Sequence, residues 1–193
     1  MLFEGRVAGS GPLPVLTGPG IGLIPADISH RERLLEVLAA PEVRLWWDEP
    51  DQPDGWPADD PTEPDTVRYT ITLDPGRPGQ RTNGRPDVVG LIQYAEMNVP
   101  EYRHAGIDIF LDPAVHGRGV GKASVRALAE FLFAERGHHR LVIDPAAANA
   151  MAIGCYSSVG FKPVGLMRQY ERDVDGTGWH DGLLMDLLRG ELT

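Results

Sequence analysis

The chain reads His116-Gly117-Arg118-Gly119-Val120-Gly121-Lys122 between a short apolar segment and its most regular amphipathic segment. The apolar segment, residues 107–111, predicts a strand. In the segment that follows the glycines, apolar or small residues recur at helical spacing and predict a helix; they are Val120, Ala123, Ser124, Ala127, Leu128, Phe131 and Leu132. Glycine lets a backbone approach a ligand closely, and the first turn of a helix has unpaired N–H groups. The stretch therefore predicts a phosphate-binding turn.

Two other glycine-rich phosphate motifs do not fit this turn. A dinucleotide-binding fingerprint that begins at Gly117 would need glycine or alanine at position 122, where the chain has Lys122. A P-loop would need glycine at position 116 and serine or threonine at position 123, where the chain has His116 and Ala123. Because tight turns also use glycine for steric reasons alone, the stretch by itself leaves a purely structural role open.

The rest of the pattern predicts an α+β fold, with an α/β mixed sheet around two central helices. At 193 residues and 42% hydrophobic content, the chain is long enough for one sizeable core. We expect residues 1–15 to form a flexible N-terminal arm and residues 16–193 to form a single domain. Ser29 is predicted to cap an early helix, and Gly160 to end a late one. Strands are predicted over residues 16–24, 67–73, 88–97, 107–111 and 139–144, with two more within 162–188, and the late helix over 149–159.

The charge of the chain favours a cationic partner. The formal net charge is −10, which repels a nucleic-acid backbone and attracts a cationic small molecule or a basic peptide. Residues 48–65 hold eight acids and five prolines without any Lys or Arg, and they predict an acidic loop. Six scattered histidines show no metal-ligand spacing, so no metal site is predicted.

The composition also bears on location. Cys155 is the only cysteine, which excludes an internal disulfide and fits a reducing compartment. The sequence has neither a signal-peptide pattern at its start nor an apolar run of the roughly 20 residues that a membrane span needs. We therefore expect a soluble, cytoplasmic protein that binds no membrane.

The glycine turn and a second motif together resemble the N-acetyltransferases of the GNAT superfamily. Gly119 and Gly121 match the family pattern of Gln or Arg, two residues, Gly, one residue, then Gly or Ala, although His116 stands where Gln or Arg is usual. The second motif, Asn149-x-x-Ala152-x-x-x-Tyr156-x-x-x-Gly160-Phe161, is similar to the second coenzyme-binding helix of the family. The resemblance implies a central, mostly antiparallel sheet flanked by helices, with acetyl-CoA as co-substrate.

The resemblance also implies where coenzyme A binds. The strand before the turn would pair with the pantetheine arm, and the amides of the turn would hold the pyrophosphate. Tyr156 would lie near the coenzyme sulfur and protonate the leaving thiolate. The implied coenzyme-binding residues are Ile109, Phe110, Leu111, Gly117, Arg118, Gly119, Val120, Gly121, Lys122, Asn149 and Tyr156.

Three further segments resemble the aminoglycoside 6'-N-acetyltransferases. In Gly106-Ile107-Asp108, the aspartate would act as a general base or position the reacting amine. Asp144-Pro145 carries an aspartate that contacts the aminoglycoside in those enzymes, and Trp46-Trp47-Asp48-Glu49 is similar to their tryptophan pair and acidic flap. The resemblance thus implies Asp108 and Tyr156 as catalytic residues. The implied acceptor-binding residues are Trp46, Trp47, Asp48, Glu49, Asp108 and Asp144.

The residues leave several alternatives open. A strand aspartate such as Asp108 can simply point out of a one-sided sheet, and a tryptophan pair can be core packing. The acceptor could instead be a protein N-terminus, a lysine or a siderophore precursor. A non-catalytic acyl-CoA-binding module is a third hypothesis, although Asp108 and Tyr156 count against it. The sequence does not distinguish a monomer from a homodimer. It also does not distinguish antibiotic resistance from self-protection or ordinary metabolism as the biological role.

Overall fold

The computed structural model describes residues 12–48, 50, 55–58, 65–73 and 87–193. Most of the predicted N-terminal arm and acidic loop therefore lies outside the described residues, as do Glu49 and the connection 74–86. Eight strands and four α-helices are found in the described part of the chain. The strands β1 to β8 are Leu16–Gly18, Ile21–Pro25, Thr66–Leu73, Asp87–Met97, His104–Leu111, Arg140–Ile143, Lys162–Arg172 and Trp179–Leu188. The helices α1 to α4 are Arg31–Leu38, Pro41–Arg44, Val120–Ala134 and Ala150–Ser157.

The described strands form one mixed sheet in the order β1-β2-β3-β4-β5-β6-β8-β7. Every neighbouring pair is antiparallel except β5 and β6, which run parallel. A parallel pair needs a crossover connection, and here that crossover contains α3. The predicted mostly antiparallel sheet flanked by helices is confirmed.

Helices cover both faces of the sheet. The apolar positions of α3 pack on one face, where Leu128 and Leu132 are fully buried in the larger hydrophobic cluster. Burial of such a side chain contributes about 1.5–3 kcal/mol. Helices α1 and α2 pack on the other face, in a smaller cluster that includes Leu34, Val43 and Phe110. None of the helices in the described residues combines the length and hydropathy that a membrane crossing requires.

Two sequence predictions near the start of the chain are wrong. Residues 16–24 form a hairpin of β1 and β2 rather than one strand, because Pro19 and Gly20 make a turn in which Gly20 has a φ of 73°. Ser29 does not cap α1, whose N-cap residue is His30 and makes no side-chain cap hydrogen bond. The Asp27 carboxylate accepts the Ser29 N–H at 2.9 Å and begins a 3₁₀ turn that leads into α1.

The parallel strands β5 and β6 separate after two residue pairs. Ala105 pairs with Leu141 and Gly106 pairs with Val142, and no later residue of β5 has a partner on β6. The β6 side of residues 107–111 is therefore an open strand edge in the middle of the sheet. This gap defines the position of the cleft described next.

Candidate active site

A cleft of about 950 Å³ opens at the gap between β5 and β6. One wall is formed by residues 107–111 of β5, and the opposite wall by residues 143–146, which follow from β6. The glycine turn and α4 close one end, and the loop after α2 together with β7 closes the other. A cleft of this size and lining can hold a long ligand whose two ends meet different chemistry.

Backbone N–H groups without acceptors line the glycine end of the cleft. Gly119 is the N-terminal cap of α3, with a φ of 80° that favours glycine. Five backbone N–H groups of this turn have no hydrogen-bond acceptor among the described residues. They belong to Gly117, Gly119, Val120, Gly121 and Lys122. Such an array at a helix N-terminus binds phosphate. Arg118 differs, because its N–H donates to the Val115 carbonyl at 3.3 Å and it does not line the cleft.

Helix α4 contributes Tyr156 to the floor of the cleft. Asn149 caps this helix by accepting the Ala152 N–H at 3.0 Å, and it also lines the cleft. Tyr156 is 7% exposed and packs against the Phe161 ring. Burial raises the pKa of the Tyr156 phenol, and the nearby charges of Asp108 and Asp144 raise it further. The phenol is therefore protonated at neutral pH and can donate a proton.

Asp108 lies on β5 and lines the cleft, where a side chain of the neighbouring strand β4 bonds to it. The Gln93 side-chain amide donates to the Asp108 carboxylate at 3.2 Å. The buried Arg68 Nε donates to the Gln93 carbonyl oxygen at 3.2 Å, and this bond sets which end of the amide faces Asp108. The carboxylate is thus oriented by a chain of hydrogen bonds across β3, β4 and β5.

Asp144 follows β6 and lies across the cleft from Asp108. Tyr170 of β7 also lines the cleft, and its interaction with the Asp144 carboxylate, followed by burial, raises the pKa of Tyr170 to about 12. The charges of both aspartates act on both Tyr156 and Tyr170. Two carboxylates and two protonated phenols therefore form one group in the cleft.

The end of the cleft away from the glycine turn is acidic. Its lining carboxylates come from five separate segments; they are Glu42, Asp48, Asp108, Asp144 and Glu171. In the described lining, the single Lys or Arg is Lys122, which belongs to the glycine turn. A cation is therefore attracted to one end of the cleft and an anion to the other.

Both tryptophans line this acidic end. The Trp47 ring lies edge-on to Phe110 at 4.9 Å between centroids, so it packs on the smaller hydrophobic cluster as well. The Trp46 ring meets His180 at 6.5 Å. Phe110 itself lines the cleft, but its side chain is 4% exposed and belongs to that cluster. Both tryptophans thus line the cleft, and Trp47 also packs on the smaller hydrophobic cluster.

Among the described residues that the resemblance implied for coenzyme or acceptor binding, all line the cleft except Arg118. The cleft also contains functional candidates that sequence reasoning missed. Gln93 could have been found from the sequence, because it is a polar residue that interrupts an apolar strand. No sequence pattern indicates the other three, because their position in the cleft depends on segments far apart in the chain. They are Glu42, Tyr170 and Glu171.

A comparison with protein families identifies the family of this chain. Residues 42–161 match the profile of the Acetyltransferase (GNAT) family, which is more than half of the chain. The matched region contains both the glycine turn and α4. These are the two elements to which the family resemblance assigns coenzyme binding.

Curated relatives match over shorter regions. One region is 35% identical over 86 residues to the N-alpha-acetyltransferase RimI of Mycobacterium tuberculosis, covering 42% of this chain and 52% of that protein. Another is 41% identical over 61 residues to an aminoglycoside N(6')-acetyltransferase type 1 of Klebsiella pneumoniae, covering 31% of this chain and 30% of that protein. The chain thus spans about half the length of the first relative and under a third of the second.

The fold extends over nearly the whole chain in solved structures. A spermidine N-acetyltransferase from Vibrio cholerae, in complex with CoA and spermine, has a TM-score of 0.68 and 15% sequence identity. The alignment covers 89% of this chain and 97% of that one. At this identity the likeness concerns the fold.

Proposed function

The chain belongs to the Acetyltransferase (GNAT) family, and from that premise we propose that it transfers an acetyl group from acetyl-CoA to a primary amine of a multiply charged cation, most specifically the 6'-amine of an aminoglycoside. One observation carries the choice of acceptor. Five carboxylates from separate segments line the acceptor end of the cleft, and no Lys or Arg lines that end in the described residues. An acceptor with several ammonium groups complements this charge.

The coenzyme end fits a pyrophosphate. The N–H groups of residues 117 and 119–122 have no acceptor in the described chain and lie at the start of α3, where the helix dipole also favours negative charge. Lys122 adds a positive charge at the same end. Beyond Gly106, β5 has no pairing with β6, so an extended arm can lie along that side of the strand. Acetyl-CoA supplies the activated thioester.

Two residues handle the protons of the transfer. Asp108 accepts a proton from the acceptor ammonium or holds the amine in place, with Gln93 fixing its orientation. Tyr156 donates the proton that the departing sulfur needs, since its raised pKa keeps the phenol protonated. The nitrogen loses a second proton as the amide forms, and that proton restores Tyr156. The proton on Asp108 is released to solvent, so one proton is released for each acetyl group transferred.

A protein N-terminus is the second candidate acceptor. The 35% identity to RimI over 86 residues favours it. The acidic end of the cleft favours the aminoglycoside, because a single α-amino group does not need several carboxylates. The same assay distinguishes the two.

We expect the purified protein to release free CoA with kanamycin or tobramycin as acceptor. Spermidine and a peptide with a free N-terminus should react more slowly, because each offers the acidic end a different number and arrangement of ammonium groups. The measurement is the steady-state rate of thiol release for each acceptor, with the acetylated nitrogen located by NMR. Efficient transfer to the peptide alone would replace the aminoglycoside proposal by the N-terminal one.

Replacing Tyr156 by Phe should lower turnover about tenfold or more, while the affinity for acetyl-CoA stays within about twofold. The ring and its contact with Phe161 remain, and only the proton donor is removed. The matched control is Tyr102→Phe, which removes the same hydroxyl from an exposed tyrosine that does not line the cleft. Unchanged turnover in Tyr156→Phe, with chemistry rate-limiting, would assign the proton to solvent.

A further inference from the structure

We propose that Tyr170 is a positioning residue that orients the Asp144 carboxylate toward a cationic group of the acceptor. The inference rests on the proposed transfer to a cationic amine. It concerns a tyrosine that lies in the part of the chain without a recognisable motif. Four observations on β7, β8 and the strand end after β6 support it.

The backbone of β7 is bent at Tyr170. Met167 pairs with Gly182 and Glu171 pairs with His180, so four steps along β7 face two steps along β8. Gln169 in this bulge has a φ of 49°, and its N–H donates to the Asp181 carboxylate at 2.8 Å. Asp181 thus stabilises a conformation that a non-glycine residue rarely adopts. Bulges of this kind re-aim a side chain, here that of Tyr170.

The neighbouring strand leaves room for the Tyr170 ring. A Cβ atom on Gly182 would lie 2.9 Å from Tyr170 Cδ1, closer than two such atoms can approach. Gly182 also bridges to Ala146, two residues after Asp144. The glycine therefore brings the ring and the strand end that carries Asp144 into contact range.

The chemistry of the pair suits an acceptor site. A phenol donates one hydrogen bond and remains neutral, so it fixes one carboxylate oxygen and leaves the negative charge of Asp144 available. An Arg or Lys partner would orient the carboxylate too, but would neutralise it. The pKa of Tyr170, raised to about 12 by its interaction with Asp144 and by burial, keeps this donor protonated. The second carboxylate oxygen is then free to accept from an ammonium group.

Kinetics separate a positioning role from direct contact. Tyr170→Phe should raise the Michaelis constant for the acceptor about threefold to tenfold, the usual effect of one hydrogen bond, with turnover and the acetyl-CoA Michaelis constant unchanged. Asp144→Asn should raise the Michaelis constant for the acceptor by a larger factor than Tyr170→Phe does. The double variant should behave like Asp144→Asn alone, because Tyr170 acts through that carboxylate. Additive effects, or a loss confined to turnover, would overturn the proposal.

Gly182→Ala provides a second variant. The added methyl group displaces the Tyr170 ring, so the variant should reproduce the rise in acceptor Michaelis constant while Tyr170 itself remains. Tyr102→Phe serves again as the control and should leave all constants unchanged. A Gly182→Ala enzyme that is folded and has a wild-type acceptor Michaelis constant would count against the proposal.

A readout without any acceptor keeps this inference separate from the proposed function. The ¹³Cζ resonance of labelled tyrosine follows each phenol as it ionises, and Tyr170→Phe identifies the Tyr170 signal. In Asp144→Asn the pKa of Tyr170 should fall, since the interaction with the Asp144 carboxylate that raises it loses its negative charge. An unchanged pKa overturns the pairing even if no aminoglycoside is acetylated, and a lowered pKa supports it whichever amine is the acceptor.

Discussion

Replacing Asp108 by Asn should lower turnover about a hundredfold or more, within the range for loss of general acid–base catalysis. The substitution keeps the side-chain volume on β5 and removes only the charge that can receive the proton of the amine. Gln93 still faces the side chain, so the strand pairing with β4 is retained. Steady-state turnover with the best acceptor is the measurement, and an unfolding temperature within a few degrees of wild type shows that the fold is intact.

A matched variant and the pH dependence distinguish the two roles open to Asp108. Asp186→Asn makes the same chemical change on β8, where the carboxylate accepts from Arg140 and does not line the cleft. Asp186→Asn should keep turnover within about twofold of the wild-type value, as expected for the loss of a partly exposed ion pair. If Asp108 is the base, the deficit of Asp108→Asn narrows as pH rises, because the amine then arrives neutral. A deficit that is constant with pH indicates positioning, and a wild-type turnover would exclude both roles.

Replacing Gly119 by Asp should weaken acetyl-CoA binding tenfold or more. The carboxylate would stand at the N-terminus of α3, accept the N–H groups proposed for the pyrophosphate and repel its charge. Two unit charges about 4 Å apart repel by about 4 kcal/mol at an effective dielectric constant near 20, and solvent at this exposed turn reduces that figure. The dissociation constant for CoA, measured by calorimetry, checks the expectation.

Gly119→Asn is the control for backbone strain. Asn and Asp both tolerate positive φ better than other L-residues, and no atom lies within 4 Å of a Cβ at this position. The two variants therefore share the strain at the φ of 80° and differ in charge. Gly119→Asn should therefore lose much less affinity for CoA than Gly119→Asp. Equal affinities for wild type and Gly119→Asp would locate the pyrophosphate elsewhere.

Part of the candidate site could be predicted because its residues are close together in sequence. The helical spacing of α3 depends on residues three and four positions apart, and the glycines before it define the turn within six residues. Tyr156 was recognisable through the resemblance of the motif around α4, which runs from Asn149 to Phe161, to the coenzyme-binding helix of the family. The early hairpin was missed, because Pro19 and Gly20 interrupt a segment whose apolar residues also suit one continuous strand.

The amino-acid sequence by itself therefore determined the glycine turn, the helix that follows it, the mixed sheet and the position of Asp108 on a strand, since local spacing and backbone preference specify these features. Only the tertiary structure decided which side chains meet Asp108 and Asp144. Gln93 faces Asp108 through the register of β4 against β5. Tyr170 lines the same cleft as Asp144 next to a bulge that Asp181 stabilises, and Gly182 leaves room for its ring. Strand register and bulge position depend on pairing between segments far apart in the chain, and no local pattern encodes that pairing.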